Sequence, residues 1–183
     1  GMSLWILFLF SCSTSFYNEP QKKYGIEGKF FFLPNQYWKH KNHKIVLQAL
    51  RILKEEGKFV RVVSTGNTSD YRAPGHFAAL EAFVKEHELG DRYLILGMIP
   101  YADVQALAEA SLGYINPSFF EGWSTTVEEA KYRGKPILLS DLKVHREQAP
   151  AKGVFSIRTM LRIWRRRCGI CGSSRRRMKM LMC

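Results

Sequence analysis

The sequence predicts an α/β protein: a Rossmann-like, three-layer α/β/α sandwich built on a parallel sheet. Three observations predict it. Between Lys29 and Gln148, short apolar runs alternate with longer stretches whose apolar residues recur at helical spacing. The runs open into polar or Gly/Pro-containing loops, and the helical stretches stop at or near glycine. A hydrophobic content of 46% over 183 residues is enough for one good core. Alternation of strand and helix throughout demands a parallel sheet with right-handed crossovers.

The first unit is the strand Lys29–Leu33, KFFFL, a basic loop NQYWKHKNH and a helix over Lys44–Glu56 that ends at Gly57. That loop lies at the carboxyl end of its strand, where open α/β sheets bind ligands. FVRVVS, Phe59–Ser64, alternates and is rich in β-branched residues, so it is the second strand. Thr65-Gly66-Asn67 follows as a turn able to sit close to a ligand, then a loop to Gly75 and a helix over His76–His87 closed by Gly90. Tyr93–Leu96 is the third strand, and Ala102–Ala110 the next helix. Leu112–Asn116, LGYIN, is an apolar run ended by Pro117 and suits a buried fourth strand. Thr126–Arg133 is a helix stopped by Gly134 and Pro136; Pro136–Ser140 is a fifth strand and Asp141–Gln148 a short helical turn.

The stretch Phe119–Glu129, FFEGWSTTVEE, is therefore a strand-to-helix turn. Ser124 and Thr125 are good N-cap residues, and Thr125 with Glu128 fits a capping box. Such a turn points free N–H groups, here of Gly122, Trp123, Ser124 and Thr125, at whatever sits over the sheet edge. With the helix dipole they make an anion site that suits a phosphate. Glu121 and Glu129 are placed to accept hydrogen bonds from hydroxyls on either side of that phosphate, as a nucleotide-sugar would offer. The competing reading makes Glu128 a cap and Glu129 part of a solvated helix face.

FEGWSTTVEEAKYRGKPILLSD resembles the signature of the large group-1 glycosyltransferases of GT-B fold, in which two glutamates of this spacing lie in the donor-binding C-terminal domain. The resemblance covers Gly28–Gln148, and it implies a single GT-B half that binds a nucleoside-diphosphate sugar for retaining transfer, with no metal or other cofactor. It places Lys41 where the family has the lysine that neutralises the donor pyrophosphate, and Gln36 where many members carry an arginine, with Lys39 nearby to compensate. Gly97, Met98 and Ile99 match a loop whose backbone contacts the nucleotide base; otherwise they are a turn into the next helix. Glu121 is expected to hold sugar hydroxyls and Glu129 the ribose. The acceptor, whose identity the sequence does not reveal, is expected on an absent N-terminal domain, so the chain alone is expected to be inactive. The alternative is a non-catalytic nucleotide-binding module or a truncated remnant.

Charge and cysteine bound the remainder. Of the net +12, nine charges fall in Ser156–Cys183, which has no acidic residue, so the body is nearly neutral and no specific nucleic-acid partner is expected. Codons can be chosen for Ser156–Cys171 so that a reading displaced by two nucleotides spells YPDDAEDLAEAMWDLW, an acidic turn and amphipathic helix that resemble what the family has there. A frameshift near Phe155 is expected, against a basic arm for RNA or a peripheral contact with an acidic membrane. The expected division is thus an extension over 1–27, a domain over 28–155 and a tail over 156–183. Three of four cysteines lie in the tail, so no disulfide framework is expected and a reducing, cytoplasmic compartment is. Cys168 and Cys171 have zinc-ligand spacing without a second pair, and His40 and His43 lack an acidic neighbour, so no metal site is expected. Leu4–Phe10, LWILFLF, is too short for a membrane span, which needs about 20 apolar residues. It also lacks the positive flank of a signal peptide, and Gly1 before Met2 is expected to be a cloning remnant.

Overall fold

The computed structural model describes residues 19–148 and 150–156. Leu4–Phe10, Cys168, Cys171 and the tail from residue 157 lie outside the described residues. Six parallel strands form one sheet: β1 Phe31–Leu33, β2 Val62–Ser64, β3 Tyr93–Ile95, β4 Tyr114–Asn116, β5 Ile137–Ser140 and β6 Gly153–Ser156. Their order is β3-β2-β1-β4-β5-β6. The helices between them are α1 His43–Glu55, α2 His76–Glu86, α3 Tyr101–Ala110, α4 Thr125–Tyr132 and α5 Lys143–Gln148. Phe31 is level with Val62, Val62 with Tyr93, and Tyr114 with Ile137, so the carboxyl ends of the strands finish together.

Successive side chains of a strand point to opposite faces, and each face has its own core. Leu33, Val62, Tyr93 and Ile115 pack with Val46, Leu47, Leu50 and Leu53 of α1 and Leu80 of α2. Phe32, Val63, Tyr114, Ile137 and Leu139 pack on the other face with Leu107 and Ala108 of α3 and Val127 and Ala130 of α4. This is the three-layer sandwich that the alternation predicts, because strands apolar on both sides must be covered on both.

The sheet has a sixth strand that the sequence reading did not include. β6 runs beside β5, with Leu139 level with Phe155. Before Gly28, in the stretch read as a connection, residues 19–23 are helical, Ile26 is buried in the second core, and Lys23 and Tyr24 both donate to Asp103 of α3, at 2.7 and 2.6 Å. No described helix is long and apolar enough to cross a membrane.

Candidate functional site

The strand order leaves one crevice. From β1 the chain crosses to β2 on one side, and from β4 to β5 on the other, so the loops after these neighbouring strands part above the sheet. After β1 the chain forms a 3-10 turn over Lys39–Lys41, and Asn42 in the left-handed region, φ 55°, redirects it into α1. After β4 it runs through Pro117 to Ser124, which starts α4.

The two loops are fastened across the crevice. The Phe119 N–H donates to His40 O at 2.8 Å, and Asn42 Nδ2 to Pro117 O at 3.1 Å. Lys41 Nζ meets both carboxylate oxygens of Glu121, at 2.8 and 2.9 Å, with both side chains largely shielded from water. Glu121 also accepts from Asn116 Nδ2 at 3.3 Å. The single Ser118 hydroxyl proton lies within reach of both Glu121 Oε1 and Asn116 Oδ1, 2.7 Å each. Burial alone pushes the Glu121 carboxyl up, but the Lys41 ammonium and the Ser118 and Asn116 donors outweigh it and hold it below the ordinary range. Lys41 and Glu121, 80 residues apart in sequence, are thus side by side and already paired.

Glu129 differs. It sits half-buried on α4, where burial raises its carboxyl and Arg133 opposes that only in part. The Arg133 side chain is engaged by Glu109, at 2.9 Å, and by Gln105, and among the described residues nothing donates a hydrogen bond to the Glu129 carboxylate. A half-buried carboxylate without a donor is suited to hydroxyls brought by a ligand.

The turn into α4 uses one of the two expected caps but not the expected box. Ser124 is the N-cap, its Oγ accepting from Val127 N–H at 3.3 Å and from Asn116 Nδ2 at 2.8 Å. Thr125 is already inside the helix, so the Thr125–Glu128 box does not form; Glu128 accepts instead from Lys131 and Gln148. The Ser124 N–H, expected to be free, donates to Gln148 Oε1 at 3.2 Å. Those of Gly122, Trp123 and Thr125 have no acceptor among the described residues.

Other predicted positions fall into two groups. Gly97, φ 64°, opens the turn after β3, Met98 is 73% exposed, and Ile99 packs against the second core. The Gln36 Oε1 accepts the Asn67 N–H and ties the loop after β1 to that after β2, which leaves its Nε2 as the donor end of the amide. The Lys39 side chain is exposed. A Cβ on Gly66 would meet Asn35 O at 2.5 Å, so the close approach of the loop after β1 requires glycine there.

His43 is wholly buried, its Nε2 against Gln36 O at 3.0 Å and its Nδ1 against Tyr93 OH at 2.7 Å. A carbonyl only accepts, so Nε2 carries the proton and the ring is neutral, with burial pushing its pKa down to about 4. It is a core histidine. His40 lies against the Phe120 ring, 4.8 Å between centroids. Among the described residues no three His, Cys, Asp or Glu side chains gather as metal ligands would.

Three residues of this region were not singled out from sequence. Asn116, at the end of β4, bonds Asn35, Ser118, Glu121 and Ser124. Gln148 and His145 are the buried residues of α5; His145 donates from Nδ1 to Ser140 O at 2.8 Å, and its Nε2 has no partner among the described residues. Gln148 acts through an amide whose partners are distant in sequence, and Asn116 bonds across an irregular turn to Ser118, Glu121 and Ser124 as well as to Asn35, so no periodic pattern marks either. An open apolar hollow between Phe31, Phe59, Val60 and Leu112 lies at the opposite, amino-terminal end of the strands and shares no residue with the crevice.

Residues 17–153 match the family model for glycosyl transferases group 1. A glycosyltransferase from Rickettsia africae ESF-5 is similar at 18% identity, TM-score 0.73, over 86% of this chain and 44% of its own. Anabaena HepE, solved in complex with UDP and glucose, is similar at 16% identity, TM-score 0.73, over 87% of this chain and 43% of its own. WaaG, a glycosyltransferase involved in lipopolysaccharide biosynthesis, is similar at 16% identity, TM-score 0.66, over 87% and 42%. No protein with a curated description matches. The chain spans less than half the length of these solved structures.

Proposed function

The chain belongs to the group 1 glycosyl transferases, and from that membership we propose that it supplies the half of such an enzyme that binds a nucleoside-diphosphate sugar for retaining transfer. The observation that carries the reading is the crevice between the loops after β1 and β4, where Lys41, Glu121, unpartnered Glu129 and the unbonded N–H groups of Gly122, Trp123 and Thr125 lie on neighbouring elements. In this reading Lys41 and the N–H groups neutralise charge that develops on the leaving diphosphate. Glu129 accepts from the ribose, Glu121 accepts from the sugar, and backbone groups of Gly97, Met98 and Ile99 meet the base. The acceptor is assigned to a second domain, consistent with the greater length of the matched structures. That HepE was solved with UDP and glucose supports a nucleotide and a sugar as ligands of this fold.

Lys41 is not idle before the donor arrives. A diphosphate that takes the ammonium removes the cation from Glu121, and the sugar hydroxyls of a full donor then replace it as hydrogen-bond donors. Titration calorimetry with UDP, GDP and ADP and their sugars tests the assignment. Glu129→Ala is expected to weaken bare nucleotide and full donor alike by about 1–3 kcal/mol, the cost of a charge-assisted hydrogen bond. Glu121→Ala is expected to weaken only the sugar-bearing donor. Equal losses of both ligands in both variants remove the division of labour, and the absence of binding by any of the six ligands removes the proposal.

A further inference from the structure

α5 follows β5 and presents its buried face, His145 and Gln148, inwards. The Gln148 side chain uses its amide in both directions on one residue: the Ser124 N–H donates to Oε1 at 3.2 Å, and Nε2 donates to Ser124 O at 2.9 Å. Its second N–H goes to Glu128 Oε1, also 2.9 Å. A primary amide paired in this way imitates one residue of a neighbouring strand, and at 3% exposure it does so shielded from water. Ser124 is held besides by Asn116 and by its own cap to Val127. Its backbone, at φ −88° and ψ 109°, is the point from which the preceding Gly122-Trp123 segment and the first turn of α4 diverge.

Resting on the nucleotide-sugar reading above, we infer that Gln148 is a positioning residue for the donor diphosphate. It fixes the Ser124 peptide in the crevice wall, so the N–H groups offered to the anion are those of Gly122, Trp123 and Thr125, and Ser124 is withheld. No ligand contact is assigned to Gln148. Its effect passes through the orientation of the peptides on either side of Ser124, and so falls on the phosphate-bearing part of a ligand and not on the nucleoside.

The test uses the full chain, with whichever of UDP, GDP or ADP the wild type binds most tightly and the parent nucleoside of that ligand. Gln148→Leu is expected to weaken the diphosphate about tenfold, or 1.4 kcal/mol, and the nucleoside less than about twofold. Glu128→Ala, which removes the third hydrogen bond and leaves the Ser124 pair intact, is expected to leave both affinities near wild type. A loss shared equally by diphosphate and nucleoside, or no loss in a folded Gln148→Leu protein, overturns the inference while leaving the nucleotide reading standing. Absence of wild-type binding strikes the nucleotide reading itself. A second measurement needs no variant. On titrating inorganic pyrophosphate into wild type, the amide resonances of Gly122, Trp123 and Thr125 are expected to move and that of Ser124 to move least. A Ser124 amide that moves most overturns the inference whatever the variant does.

Discussion

Lys41 and Glu121 show why one ion pair has two readings. Two largely buried charges, 2.8 Å apart, stabilise one another, but each was desolvated to reach that place. Removing only the cation is therefore the costly change, because it leaves a carboxylate facing Ser118, Asn116 and little water. Lys41→Met is expected to lower unfolding free energy by about 1–3 kcal/mol in urea titrations. Glu121→Gln in the same protein is expected to restore most of it, since the amide carries no charge to strand. Glu121 also sets a pH dependence. Its carboxyl is held below the ordinary value, so its stabilising share is present above the unfolded value and is lost as pH falls through the folded one. A Lys41→Met chain as stable as the parent at neutral pH means that the pair contributes nothing net. The sequence made both residues conspicuous through the resemblance, but not that each is the other's partner, which only the β1/β4 neighbourhood provides.

At the level of elements, the first five strands and α1 to α4 were legible because each strand sends side chains into two cores and each of these helices buries apolar residues against one of them. β6 was not, since no helical pattern follows it in the sequence and Gly153–Ser156 gains its meaning only from lying beside β5. Of the two adjacent N-cap candidates Ser124 is used, the better cap of the two by type and the one that Asn116 and Gln148 also hold. The candidate site was legible as a list of residues and not as a network, because the contacts that join Lys41 to Glu121 and Gln148 to Ser124 are 80 and 24 positions apart and the short-range ones of Asn116 follow no repeat. His43 is a similar case: beginning α1, it joins the loop after β1 to Tyr93 of β3 and stacks on Tyr37 at 4.5 Å. Its folded pKa of about 4 lies below its ordinary 6.5, so the unfolded chain takes up a proton first on acidification. Stability from this group is full above about pH 6.5 and falls, by roughly 3 kcal/mol in all, as pH drops to about 4. In His43→Phe the baseline is expected to be lower, and the slope of melting temperature between these pH values flatter. An unchanged slope assigns the acid sensitivity to other groups.

For the whole molecule, a three-layer sandwich with its ligand edge at the carboxyl ends of the strands provides a floor and one wall for a reaction between two substrates. In the proposed reading it orders the donor and leaves the acceptor to a second domain, and holding two reactants in line accounts for roughly 7–11 kcal/mol of a barrier. The exposed Phe119, Phe120 and Trp123 beside the crevice, each about 60% accessible, leave this edge open in the described unit. The 183-residue chain is therefore expected to bind a nucleotide-sugar and to return it unchanged when sugars or lipid-linked saccharides are added, apart from slow hydrolysis. Product analysis by mass spectrometry, with the same donor that calorimetry shows to bind, checks this. Acceptor-dependent transfer at a rate usual for enzymes, on the order of 1 per second or faster, places acceptor-ordering groups within this chain. In that event the aromatic rim beside Glu121 is the first place to substitute, because Phe119, Phe120 and Trp123 are the exposed apolar surface next to the proposed sugar site.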